Sequence, residues 1–254
     1  MNTLSNTHRI VPILLGALIA GKAHAALWTT GHGDFGVALE DGTDFHFHIH
    51  LHDGAVVDGS PLAGDEEFDA ADITVNVPPI TKLSAPDNAP FNDASGTASG
   101  QDVWVLPQSN PAPDPIPFLG IATEELDAAD WTTDITFTLG AVTSPSGNGD
   151  FSLWQSDGFG GFDFFFSTAD ATLTENGNNT LISSIPGHDH FNWGFTEAGN
   201  WLVEITASGT HDTLGFMSDT QTFSFNVVPE PSAYAALFGL AALGLTCARR
   251  RSRA

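Results

Sequence analysis

The chain has 254 residues with 31 acidic and 7 basic side chains, a formal net charge of −24, and one cysteine. Between residues 26 and 228 the imbalance sharpens: Lys82 is the lone cation against thirty carboxylates, a net charge near −29. Such a surface repels nucleic acid and anionic membranes and attracts hydrated divalent cations, while a single cysteine, Cys247, excludes an intrachain disulfide and a thiolate zinc site.

The N-terminus has the layout of a secretory signal. Arg9 supplies the positive region, residues 10–20 the apolar stretch, and Ala23-His24-Ala25 the small-x-small cleavage pattern. Cleavage between Ala25 and Ala26 is expected, with residues 1–25 forming a signal helix.

Period-two alternation dominates residues 26–227. Residues 35–39 lead through the turn Glu40-Asp41-Gly42 into a second strand, so these two form a hairpin. Further short strands are expected at residues 73–77, 103–106, 135–139, 150–154, 201–206 and 222–227. The Phe-rich stretch at 158–166 reads as a Gly-turned buried strand. Residues 78–100 and 107–129 are rich in Pro and Asp and read as surface loops. No segment of a dozen residues carries capped helical periodicity. The expected fold over 26–227 is therefore all-β, one antiparallel β-sandwich of immunoglobulin-like or jelly-roll-like type. With 19 Phe and 6 Trp available, a core without disulfides is ample.

The second strand of that hairpin is Phe45-His46-Phe47-His48-Ile49-His50-Leu51-His52. In extended chain it presents four imidazoles on one face and four bulky apolar side chains on the other. His188-Asp189-His190 and His32-Gly33-Asp34 repeat the next-but-one spacing. Without thiolates, metal ligands must be imidazole or carboxylate, and zinc, or another divalent metal, suits such a set. The expected site joins His188 and His190 with two of His46, His48, His50 and His52, with His32 or Asp34 supplying or replacing a ligand. Neutral imidazole is required, so affinity should weaken toward and below about pH 6.5, and acidic surroundings should move that loss upward.

A three-histidine zinc with an open position would be hydrolytic, with Glu197 or Asp189 as base, but nothing marks one. There is no His-Glu-x-x-His helix and no Gly-x-Ser-x-Gly elbow, and Gly158-Phe159-Gly160-Gly161 lacks the Lys and helix of a phosphate loop. The expectation is a non-catalytic protein.

At the C-terminus, Val228-Pro229-Glu230-Pro231 precedes an apolar stretch, residues 232–248, and then Arg249, Arg250, Arg251 and Arg253. The stretch can just span a thin bilayer with the arginines held inside. Residues 228–254 resemble the PEP-CTERM sorting signal of exported bacterial proteins. That resemblance implies a Gram-negative host, surface localisation, a single transmembrane helix before processing, and recognition by an exosortase through Pro229, Glu230 and Pro231.

The body resembles the surface-anchored "choice-of-anchor M" family. The matching pieces are Gly31-His32-Gly33-Asp34 with Gly36, the Asp41-Gly42 turn before a His-x-His strand, and Val103-Trp104-Val105-Leu106-Pro107-Gln108. The last is His188-x-His190-x-Asn192-Trp193-x-Phe195-Thr196-x-x-Gly199. This resemblance implies zinc binding in metal acquisition, with a metal transporter as partner. Two other readings stand beside it. One is a structural or adhesive matrix protein bound to exopolysaccharide, with Trp28, Trp131 or Trp193 stacking on sugars. The other is a sandwich stabilised by calcium on its many Asp residues.

Overall fold

The structure, a computed structural model, describes residues 25–113 and 115–230. The expected signal helix and C-terminal membrane helix fall outside the described residues, within which no helix is long and apolar enough to cross a membrane. Strand makes up 53% and helix 8% of the structure, so the class is all-β.

The first stretch of chain forms β1 (Ala26–Glu40), β2 (Asp44–Leu51), β3 (Val56–Val57), β4 (Ser60–Pro61), β5 (Glu66–Phe68) and β6 (Ile73–Val77). Next come β7 (Lys82–Ser84), the short helix α1 (Ala89–Ser95), β8 (Asp102–Leu106), β9 (Pro117–Ala122) and β10 (Ile135–Thr143). The remainder is β11 (Phe151–Ser156), β12 (Phe162–Ser167), β13 (Thr180–Ser183), β14 (His188–His190), β15 (Asn192–Phe195), β16 (Gly199–His211) and β17 (Gly215–Val227).

Among the described residues these strands make two sheets. Twelve form one continuous sheet ordered β13-β10-β16-β17-β6-β1-β2-β5, with β9 and β14 joined through the other edge of β1. The long β1 links its two wings. Residues 26–28 pair with β6, and residues beyond Gly31 lie between β2 and β9. The second sheet, β12-β11-β15-β8-β7, covers the first.

The expectation of a purely antiparallel sandwich is corrected, because β1 runs parallel to β6 and to β9, and β6 runs parallel to β17. Parallel neighbours need long crossovers, which the sequence-local turn signals do not reveal. The "loops" are corrected too. Residues 78–100 hold β7 and α1, and residues 107–129 hold β9, whose Leu119 and Ile121 are buried. The prolines before Pro117 mask that strand. At Glu197-Ala198-Gly199 the chain crosses between sheets, since β15 lies in the covering sheet and β16 in the large one.

Alternation explains the core. On β2, Phe45, Phe47, Ile49 and Leu51 are buried, and on β1 so are Phe35 and Val37. Phe35 stacks on Phe223 at 3.8 Å between ring centroids and meets Trp193 of the covering sheet edge-on at 5.1 Å. Trp28 and Trp193 are fully buried, so they serve packing rather than sugar stacking, and Trp131, half-buried, packs against the same core. On the far side of the covering sheet, Phe91 and Ala94 of α1 close over Val103, Val105, Trp154 and Phe164. Asn88 caps that helix by accepting the Phe91 N–H at 3.1 Å.

Candidate metal centre

With the apolar side chains of β1, β2 and β9 turned inward, their intervening residues must share the opposite face. The register lines them up in rows. Asp34 lies opposite both His50 of β2 and Gly120 of β9; Gly120 in turn faces His190 of β14, and His50 faces Glu67 of β5. In the next row, Gly36 lies between His48 and Ala122, with His188 beyond. On the other side, His32 lies beside Phe118, and His52 donates its backbone N–H to the His32 carbonyl at 3.1 Å. Directly opposed side chains on a sheet stand roughly 5 Å apart, so this face gathers imidazoles from three strands.

Glycine makes the gathering possible. A Cβ on Gly120 would overlap Asp34 Oδ1 and sit 3.1 Å from His190 Cε1. A Cβ on Gly36 would stand 3.3 Å from His48 Nε2.

At the centre are His32, Asp34, His188 and His190, each offering an atom within 4.8 Å of the others. His190 Nε2 lies 3.2 Å from both His32 Nε2 and His188 Nε2. Asp34 Oδ1 is 3.0 Å from His188 Nε2, and Oδ2 is 3.5 Å from His32 Nε2. A tetrahedral zinc with bonds of 2.0–2.1 Å has ligand–ligand edges of about 3.3–3.4 Å. The observed separations bracket that value. Three ring nitrogens turned toward one another and a carboxylate are poorly served by hydrogen bonds alone, since a neutral imidazole has one N–H and one lone pair.

Surroundings orient this group. The His190 ring stacks on Phe118 with centroids 3.6 Å apart. His188 Nδ1 lies 3.1 Å from Glu124 Oε2, a partner that turns Nε2 toward the centre. Glu124 is held there because buried Thr123 ties β9 to the turn before β14: its N–H donates to the Gly187 carbonyl and its hydroxyl to the Ser184 carbonyl.

The electrostatics are split. Burial opposes ionisation of Asp34, but hydrogen bonds from His188 and His32 outweigh it and hold the carboxyl well below the usual range. The hydrogen bond to Asp34 raises His188 despite its partial burial. His190 goes the other way, pushed down by burial to about 4. The acidic neighbours reach His188 and raise it, in the expected direction, whereas burial governs His190.

The four strand histidines are dealt out differently from the expectation. None of them completes the His188–His190 group; His32 and Asp34 take those places. His52 touches its edge, with Nε2 3.0 Å from Asp34 Oδ2 and its ring stacked on His32 at 4.2 Å. His48 and His50 gather with Glu67 and Glu125, and His50 and His52 with Asp65. His46 belongs to none of these groups and instead binds Glu40 at 2.8 Å and Asp69 at 3.4 Å. Nothing in the sequence singles out Glu67, Glu124, Glu125 or Asp65, because acidic residues are too numerous for any one to stand out. His211, buried, accepts the backbone N–H groups of Thr213 and Leu214 and so shapes a turn.

Fold and site together define a mixed β-sandwich carrying an imidazole- and carboxylate-lined sheet face. Residues 227–251 match the PEP-CTERM protein-sorting motif, which marks an exported protein sorted to the surface and recognised by exosortase-type enzymes. Within it, Glu230 pairs with Lys82 at 2.8 Å, while Pro231 lies outside the described residues. At the other end, Ala26 opens β1, its N–H donating to the Asp72 carbonyl at 2.7 Å. No curated protein and no solved structure matches the chain.

Proposed function

We propose that this surface-sorted protein binds zinc through His32, Asp34, His188 and His190 and serves metal acquisition or homeostasis without catalysis. The observation that carries the reading is the convergence of three Nε2 atoms on the Asp34 carboxylate: His190 Nε2 lies 3.2 Å from those of His32 and His188, Oδ1 lies 3.0 Å from His188 and Oδ2 3.5 Å from His32. Four protein ligands fill a tetrahedron, whereas catalytic zinc keeps a position for water or substrate. That favours holding an ion over turning over a substrate. The strongly acidic body supports the same reading by concentrating cations near the face. The resemblance to choice-of-anchor M proteins, with their link to zinc-responsive regulation, points the same way and suggests a metal transporter as the downstream partner.

Calorimetric titration of the full-length, metal-stripped protein with zinc tests it. Saturable binding that is lost in His188→Ala/His190→Ala is expected; equal binding by that variant would overturn the assignment.

A further inference from the structure

His48 is a buried side chain on this face to which the proposed zinc site gives no role. It is fully buried, and neither ring nitrogen makes a hydrogen bond. A buried polar group without a partner is costly and calls for an explanation. Its Nε2 stands 3.3 Å from Glu125 Oε1, and the same oxygen lies 3.0 Å from His50 Nδ1. Glu67 closes the group from β5, directly opposite His50.

We propose that His48, His50, Glu67 and Glu125 form a second divalent-cation site, filled independently of the first, and that the adjoining His50–His52–Asp65 group is an alternative to it rather than a third site. The donor set is two imidazole nitrogens and two carboxylates, which neutralise a divalent ion and suit zinc or another first-row cation. Both carboxylates are exposed, so an ion reaches the buried imidazole from solvent. The two sites have no ligand in common, so the donors of either can be removed while those of the other stay in place.

The exclusion follows from His50. Its Nδ1 faces Glu125, and its Nε2 faces Asp65 at 3.9 Å. A neutral imidazole carries one lone pair, so whichever nitrogen takes the ion, the other holds the proton. One ion at a time can use His50. The face therefore holds two ions, side by side, since Asp34 of the first site lies opposite His50 of the second.

The experiment compares the full-length protein with three variants, each stripped by chelator, equilibrated with zinc and assayed by elemental analysis. The variants are His188→Ala/His190→Ala, the glutamine variant Glu67→Gln/Glu125→Gln with Asp65→Asn added to disable the alternative group, and their combination. These carboxylate changes are at exposed positions, so the fold is retained, which circular dichroism verifies. Two zinc per chain are expected in the parent, one in each variant and none in the combination. Two zinc retained in the glutamine variant would overturn the second site. One zinc in the parent, lost only with His188 and His190, would also overturn it while leaving the first site intact. One zinc lost only with the glutamine change would support the second site and remove the first. Three zinc in the parent would overturn the exclusion at His50.

Discussion

Asp34 Oδ1 lies 3.0 Å from His188 Nε2, joining the first strand of the described chain to a short strand near its end. The link depends on β9, which separates their strands and contributes Gly120 at the point of closest approach. Asp34 is 2% exposed and also contacts His32 and His52, so one buried carboxylate organises three imidazoles.

Asp34→Asn should therefore weaken zinc binding by about 100-fold or more, since a charged ligand is lost while the shape is kept. In the metal-free protein the same change should let the raised pKa of His188 fall back, because its main cause is the hydrogen bond to Asp34. Imidazole chemical shifts followed against pH report this, and an unmoved His188 titration would contradict the assignment.

Gly120→Ala places a methyl group against Asp34 Oδ1. Overpacking of this kind costs about 1–3 kcal/mol, and the displaced carboxylate should lower zinc affinity at least tenfold. Denaturant unfolding and calorimetry measure the two effects separately. Unchanged affinity would mean that Asp34 is not a ligand.

Zinc affinity should rise with pH through the titration of His188. Its pKa lies above 6.5, so between 6.5 and that raised value His188 still carries a proton that the ion must displace. His190, pushed down to about 4, is already neutral there and releases none. Affinity should climb across this window and flatten above it. Calorimetry in buffers of different ionisation enthalpy counts the released protons; a pH-independent affinity with no release would sink the idea.

His46→Ala should leave zinc binding within about twofold, whereas His32→Ala should reduce it by at least tenfold. The two histidines look equivalent in the sequence, but only His32 stands with the ligand group. Equal losses in both variants would show that the face binds zinc as a diffuse patch.

Phe35→Ala should destabilise the fold by about 3–5 kcal/mol, because it removes a fully buried ring packed on Phe223 and Trp193. Chemical unfolding of the metal-free protein is the measurement, and a loss below about 1 kcal/mol would place the core elsewhere.

Alternation along residues 45–52 was enough to separate an apolar side from an imidazole side, and β2 pairs antiparallel with β1 through the Asp41-Gly42 turn as that pattern requires. Absence of thiolates left imidazole and carboxylate as the side chains from which a metal site could be built, and the acidic balance makes the chain repel nucleic acid. The Pro-Glu-Pro motif and its basic tail gave the destination. All of these are properties of residue type and local spacing, which a chain carries whether or not it is folded. Partnership among the histidines is of another kind. Inserting β9 in parallel beside β1 brought β14 to Asp34 and His32, left His46 outside, and turned Glu125 toward His48 and His50. Strand order and register arise from burial summed over the whole core, so no short stretch of sequence encodes which distant side chains will meet.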